Sequence, residues 1–250
     1  MKFSDSSLFD LFDERDLINI QLENYRFKTL ISPPLLSIRP FSIISQENGS
    51  SEYELSDFKL KDVFDSPSDL DTKINSTLLG NLPESPAAER SEAVPFLQKY
   101  LKEMGADSPS SMTKAFRIYE EIKFRFNNVR REAPAISEND LFAWVLQQNP
   151  NNSHKIVKKL QAGELVYMAF EVGKFSSIRL DLKDTGEDEI EDGSGDVRVS
   201  IRNNKRIQFS SRKRPTIGFN LRQLNLEDGK IKLTDPDKEG SGAPVMGGTT

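Results

Sequence analysis

The chain has 250 residues, of which 36% are hydrophobic and 29% charged, and its formal net charge is −5. It contains no cysteine, which excludes disulfide bonds, thiolate metal sites and a cysteine nucleophile. Its apolar runs are shorter than the roughly 18 residues of a membrane-spanning helix. The acidic N-terminus lacks the apolar core of a secretory signal, so an intracellular location, in the nucleus or cytoplasm, is predicted.

The first 92 residues are predicted to be a largely disordered arm and linker. Near residues 6–20, acidic residues alternate with apolar ones, and Leu8, Leu11 and Phe12 would form one stripe of a short helix. Such a segment is typical of a motif that docks on a protein partner, or of a first helix packed on its own domain. Residues 45–92 hold too few apolar groups to offset roughly 1–2 kcal/mol of ordering entropy per residue.

Residues 93–163 are predicted to be helical. A first apolar stripe ends at Gly105, a second runs from Met112 to Val129 and stops before Pro134, and Ser137 begins a capping box. A last short helix would end at Gly163.

Residues 164–234 change to an alternating pattern that predicts antiparallel strands with one apolar face. Val166, Met168, Phe170 and Val172 are predicted to share one face, and Asn203-Asn204 is predicted to be a hairpin turn. Residues 235–250 are rich in glycine and are predicted to be disordered. The fold class is therefore α+β: a disordered acidic N-terminal region, a helical middle and a C-terminal antiparallel β-sheet domain.

Residues 197–217 carry seven basic residues and no acidic one, directly after the acidic segment 187–196. A basic surface in an acidic protein indicates a polyanionic partner. Arg198 and Arg202 would lie on one side of a strand, roughly 13 Å apart. The candidate nucleic-acid-binding residues are Lys174, Arg198, Arg202, Lys205, Arg206, Arg212, Lys213 and Arg214.

Aromatic rings near this surface, at Tyr167, Phe175 and Phe209, could stack unpaired bases at about 1–3 kcal/mol each. The alternative is a solvated basic face with the aromatic side chains buried behind it.

Signatures of an enzyme are missing from the chain. His154 is its only histidine and follows a polar turn, and there is no Gly-rich phosphate loop or nucleophile elbow. The acidic segment 187–196 does not have the spacing of an EF-hand and is interpreted as a solvated loop. No catalytic residue, cofactor or metal site is predicted.

Three blocks resemble the positive-cofactor-four type of transcriptional coactivator, a single-stranded-DNA-binding family. They are residues 170–174 (FEVGK), 197–202 (VRVSIR) and 212–220 (RKRPTIGFN). The resemblance covers about 60 residues and implies a curved antiparallel sheet that holds single-stranded nucleic acid. It implies phosphate contacts for Lys174, Arg198, Arg202, Arg212 and Lys213. The chain departs from the family in the acidic insert 184–196 and in the C-terminal helix, which Gly229 would break.

The sequence thus predicts a non-enzymatic protein that binds single-stranded DNA or RNA in transcription, replication or packaging. The alternative is an interaction or structural assembly protein of the capsid, matrix or accessory-subunit type, and an enzyme using carboxylates alone is a third class. The expected partners are nucleic acid and a protein that binds the acidic arm, with no membrane. Homo-oligomerisation stays open.

Overall fold

The computed structural model describes residues 2–5, 29–35, 37–48, 52–56, 64, 73–85, 87–106, 121–147, 154–182, 197–202 and 206–236. Within these ranges the chain forms fourteen strands and three helices. The strands are β1 Lys2–Asp5, β2 Thr29–Leu35, β3 Ile43–Gln46, β4 Glu52–Leu55, β5 Ile74–Gly80, β6 Ala88–Glu89, β7 Glu121–Asn127, β8 Val129–Pro134, β9 Leu165–Lys174, β10 Ser177–Leu182, β11 Val197–Arg202, β12 Arg206–Ser211, β13 Thr216–Glu227 and β14 Lys230–Thr234. The helices are α1 Arg90–Met104, α2 Glu138–Leu146 and α3 His154–Gln161.

The smaller of two antiparallel sheets has five strands in the order β11-β12-β10-β7-β6. Its strands alternate apolar and polar residues, so one face of the sheet is apolar. Helix α1 covers that face with Leu97, Tyr100 and Leu101, which are fully buried. Gly105 ends α1 in a left-handed conformation with φ 97°, a conformation that costs glycine little. The predicted first helix and its end are confirmed.

The larger sheet has nine strands in the order β14-β13-β2-β1-β4-β3-β9-β8-β5. Because β13 pairs with both β2 and β9, six of these strands close into a hydrogen-bonded ring. Apolar side chains of β3, β9 and β13 form a cluster in this ring, among them Ile44, Ala169 and Phe219. The Tyr53 ring packs edge-on against Phe219, with 6.1 Å between ring centroids.

Helices α2 and α3 cover another part of the larger sheet. Leu141, Val145 and Ile156 belong to the same buried cluster as Met168 and Leu224. The Ser137 hydroxyl accepts a hydrogen bond from the Asp140 backbone N–H at 3.2 Å, which confirms the predicted N-cap of α2.

The chain passes from one sheet to the other at four places: between β5 and β6, between β7 and β8, between β9 and β10, and between β12 and β13. Phe175, which follows β9, is fully buried there. Its ring centroid lies 4.7 Å from that of Phe126 and 5.8 Å from that of Tyr100. The two sheets therefore share chain segments and an aromatic cluster.

The predicted fold class is wrong. The described residues are mainly two antiparallel sheets, and the predicted helix over 112–129 is replaced from Glu121 onward by β7 and β8. Ile122, Phe124 and Phe126 fit a strand as well as a helix, and pairing with β10 decides between the two. The described part of the N-terminal region, residues 1–92, carries strands β1–β6, while residues 6–28 lie outside the described ranges.

The predicted common face of β9 is also partly wrong. Val166, Met168 and Phe170 pack beneath α2 and α3, but Val172 packs in the ring with Tyr167 and Ala169. The pairing of β9 with β13 shifts its register between Asn220 and Leu221. Such an irregularity adds one residue to a strand and exchanges the faces of the residues beyond it.

Candidate functional site: the basic face of the five-stranded sheet

The two faces of the five-stranded sheet differ in character. The face toward α1 is apolar and buried, with side chains from four strands. They are Ile122, Phe124, Phe126, Ile178, Leu180, Val197, Ile207 and Phe209. The residues between them in sequence belong to the opposite face, because strand side chains alternate.

On β7, β10, β11 and β12, the opposite face carries five cationic side chains and one carboxylate among the residues whose side chains are described. We call this surface the basic face. Its charged members are Lys123, Arg125, Arg179, Arg198, Arg206 and Asp181. The strand register places Arg125 directly across from Arg179, and Asp181 across from both Lys123 and Arg206. The basic residues thus extend from β7 to β11, across four neighbouring strands.

Asp181 is the centre of the ion pairs on the basic face. Its Oδ1 accepts hydrogen bonds from Arg179 Nη2 at 2.8 Å and from Arg206 Nε at 2.9 Å. Burial works against its ionised form, but hydrogen bonds with Arg179, Arg206 and the Glu84 side chain, together with the charge of Arg179, outweigh burial and lower the pKa of Asp181. Asp181 thus partly neutralises two of the five cations, and Glu84 adds a second acidic side chain beside it.

Within the described part of the chain, Arg125 has no ion pair like those that Arg179 and Arg206 form with Asp181. Its Nε is buried without a hydrogen-bond partner there, and the residue across from it, Arg179, has the same charge. Like charges directly across a sheet are destabilising, and an unpaired buried donor costs further free energy. An anionic group bound at this face would relieve the repulsion between the two arginines.

The predicted site residues separate into four groups, the last of which is Lys174 alone. Arg198 and Arg206 lie on the basic face and are exposed, and the backbone of Arg202 pairs with that of Arg206. Arg212, Lys213 and Arg214 lie exposed on the connection from β12 to β13. Lys205, the predicted turn at 203–204 and the acidic segment 187–196 lie outside the described residues.

Lys174 is not part of the basic face. It ends β9, which pairs along both of its edges, and its side chain is 9% exposed. Its Nζ lies 3.5 Å from Glu132 Oε2. Burial lowers the pKa of Lys174, and Arg39 and Arg214 lower it further, against the opposing effect of Glu132. The lysine is held in an ion pair where the two sheets meet.

We expect the stability of the protein to rise with pH between the lowered pKa of Lys174 and the ordinary lysine value of 10.5. In this range the unfolded chain binds a proton that the folded protein has released, so raising the pH favours the folded state. Urea unfolding at a series of pH values should show this rise in wild type and a smaller rise in Lys174→Met. Lys99→Met, at an exposed lysine of α1, should keep the wild-type rise. Equal pH dependence in Lys174→Met and wild type would contradict the expectation.

The aromatic residues predicted to stack bases are buried. Phe175 is 0%, Phe209 3% and Tyr167 9% exposed, so these rings belong to the hydrophobic cores. The basic residues that the sequence interpretation missed are Lys123, Arg125 and Arg179. Their signal was the alternation of β7 and β10, where each lies between two buried apolar residues.

Two further features bear on the kind of site. The described residues contain no group of three or more His, Asp or Glu side chains that could hold a metal ion. In the same ranges, no helix combines the length and the apolar character needed to cross a membrane.

No protein-family model and no curated protein sequence matches this chain. Among solved structures, the chain is similar to a bacterial gasdermin from Bradyrhizobium tropiciagri, with a TM-score of 0.50 and 14% identity, over 81% of this chain and 84% of that one. It also aligns with the cryo-EM structure of the Gasdermin A3 membrane pore, with a TM-score of 0.33 and 12% identity, over 78% and 80% of the two chains. The bacterial structure shows that the fold is gasdermin-like.

The resemblance to the positive-cofactor-four family is therefore wrong. The three blocks that suggested it lie in β9, in β11 and at the start of β13, in a fold that is gasdermin-like over four fifths of the chain. The predictions that followed are overturned with it: a nucleic-acid-binding function, a nucleic-acid partner, a role in transcription and the absence of a membrane partner. The alternative of a structural assembly protein fits the fold no better.

Proposed function

We propose that this chain is a gasdermin-like, pore-forming protein that permeabilises membranes. The observation that supports the proposal most is the likeness of its fold to that of a bacterial gasdermin over 81% of the chain. In this proposal the basic face is the surface that binds the membrane, because it is an extended cationic surface on a protein whose net charge is −5.

The partner that we propose for the basic face is an anionic lipid surface. The cytoplasmic leaflet of cell membranes carries anionic lipids, and each Lys or Arg near such a surface contributes about 1 kcal/mol of attraction. Lys123, Arg125 and Arg198 stand on one side of a sheet, so they can approach a flat array of headgroups together. An intracellular protein would meet this leaflet directly.

The proposal also keeps the expectation that the protein is not an enzyme. Binding, insertion and assembly in a bilayer break no covalent bond in a substrate. They therefore require no general acid, general base or nucleophile.

The experiment that tests the function is dye release from vesicles. We expect the full chain to release dye from vesicles of phosphatidylcholine and phosphatidylserine, and to release little from phosphatidylcholine alone. Added salt should weaken the effect, since exposed charges are screened over about 10 Å at 0.1 M ionic strength. Discrete conductance steps in a planar bilayer would distinguish pores from general lysis. Release from neither kind of vesicle, or release without discrete steps, would count against the function.

A further inference from the structure

Four strands form the outer edges of the two sheets within the described residues. They are β14 and β5 in the larger sheet and β11 and β6 in the smaller one. The outer edge of such a strand presents backbone N–H and C=O groups that another chain can pair with. Natural proteins protect these edges with charged residues or by keeping the strand short.

Three of the four edges are protected in this way. Strand β14 carries Lys230 and Lys232, β11 carries Arg198 and Arg202, and β6 has only two residues. Strand β5 differs from them: its seven residues, INSTLLG, include no charged residue and no proline. Its residues 75–78 are exposed, and Leu78 is 57% exposed. An uncharged edge of this length is a surface that fits another strand.

The side chains of β5 are also compatible with those of a second copy. In an antiparallel pair centred on Ser76, Ile74 would lie across from Leu78 of the other copy, and Asn75 across from its Thr77. Ile74, Ser76 and Leu78 belong to one face of the strand by alternation. Apolar side chains would therefore meet apolar ones and polar would meet polar. No like charges would be opposed, as they would be for two copies of β14 centred on Ile231.

We infer that β5 is a self-association surface, on which two copies of this chain pair antiparallel about Ser76. The inference rests on the strand edge alone and does not require activity on membranes. The pairing is isologous, so it makes a closed dimer in which the two larger sheets become continuous.

The absence of cysteine from the chain makes cross-linking a direct test. Residues across from each other in an antiparallel pair have Cα atoms about 4.5–5.5 Å apart, which is within the range of a disulfide. We expect Ser76→Cys to give a covalent dimer under mild oxidation. Lys230→Cys, on the edge strand β14, should give little. Cross-linking at Lys230→Cys and not at Ser76→Cys would overturn the inference.

A second measurement separates association from folding. We expect sedimentation velocity to show a dimer for wild type and a monomer for Leu78→Lys, which places a charge on the paired edge. The matched control is Leu146→Lys, at the other large exposed apolar residue of the described chain, 40% exposed and in α2. It should remain a dimer. A wild-type monomer at every concentration, or equal weakening by both substitutions, would overturn the inference. Circular dichroism would confirm that each variant is folded.

Discussion

Replacing Arg222 with alanine is expected to lower the free energy of unfolding by about 3 kcal/mol. The guanidinium is buried, with its side chain 5% exposed, and Nε donates a hydrogen bond to Glu138 Oε1 at 2.6 Å. Nη1 donates to Asn220 Oδ1 and to the Leu221 carbonyl, both at 2.7 Å. The same group lies 5.0 Å from the centroid of the Phe170 ring. The substitution removes all of these contacts and leaves the side-chain oxygen of the buried Asn220 without this donor.

The measurement is urea unfolding, with two comparisons that isolate the ion pair between the buried Arg222 side chain and Glu138. Lys232→Ala removes an ion pair with Glu227 in which both side chains are more than a third exposed, so it should destabilise the protein much less than Arg222→Ala. Glu138→Ala combined with Arg222→Ala should cost less than the sum of the two single changes, because the partners contact each other. Equal losses for Arg222→Ala and Lys232→Ala would show that burial of Arg222 adds nothing.

Because Glu138 lies in the first turn of α2, the Arg222 pair also ties this helix to β13. Hydrogen exchange should therefore be faster in the amides of α2 in the Arg222→Ala protein. The amides of α1, which packs on the other sheet, should exchange as in wild type.

Charge reversal on the basic face is expected to weaken binding to anionic vesicles by roughly a thousandfold. The proposed variant combines Arg125→Glu with Arg198→Glu. Each cation contributes about 1 kcal/mol at an anionic surface, and reversal replaces an attraction by a repulsion. Two reversals therefore amount to about 4 kcal/mol, which is close to three factors of ten in a binding constant. Vesicle co-sedimentation at low salt measures the loss.

The control for this variant changes the net charge equally at other surfaces. Lys99→Glu with Lys158→Glu places the same two reversals on exposed residues of α1 and α3, away from the basic face. It should bind vesicles much more tightly than the Arg125→Glu/Arg198→Glu protein. If both variants lost the same affinity, total charge would control binding and the basic face would have no special role.

Part of the fold could be predicted from local pattern. The alternation over residues 164–234 correctly gives β9 to β13, and Gly105 and Ser137 correctly mark helix ends, because these signals come from neighbouring residues. Pairing partners are not a local property. Strand β3 pairs with β9 about 120 residues later. Strand β5 shows little alternation of apolar and polar residues, and its pairing with β8 determines that it is a strand. A short segment of the sequence therefore does not show which strands pair.

Only part of the candidate site could be predicted, for a similar reason. Arg198 and Arg206 could be found because their strands alternate clearly and are close in sequence. Lys174 has the same charge, but its position at the end of a strand paired on both edges makes it a buried ion-pair partner. Arg125 and Arg179 join the site only through the register between β7 and β10. Charge density in the sequence therefore identified the sign of the surface and missed three of its five cations.

The closed ring of six strands has a consequence for synthesis of the protein on the ribosome. Strand β13 completes the ring by pairing with β2 at Thr29–Leu35 and with β9. Its partner residues in β2 come about 180 to 190 positions earlier in the chain. Until Thr216 and the residues after it have left the exit tunnel, β2 and β9 each have an edge without its native partner. Pairing over such separations is slow, and an unpaired edge is a site of aggregation. A nascent chain that stalls before β13 should therefore depend on chaperones that cover exposed strands, whereas the completed chain should not.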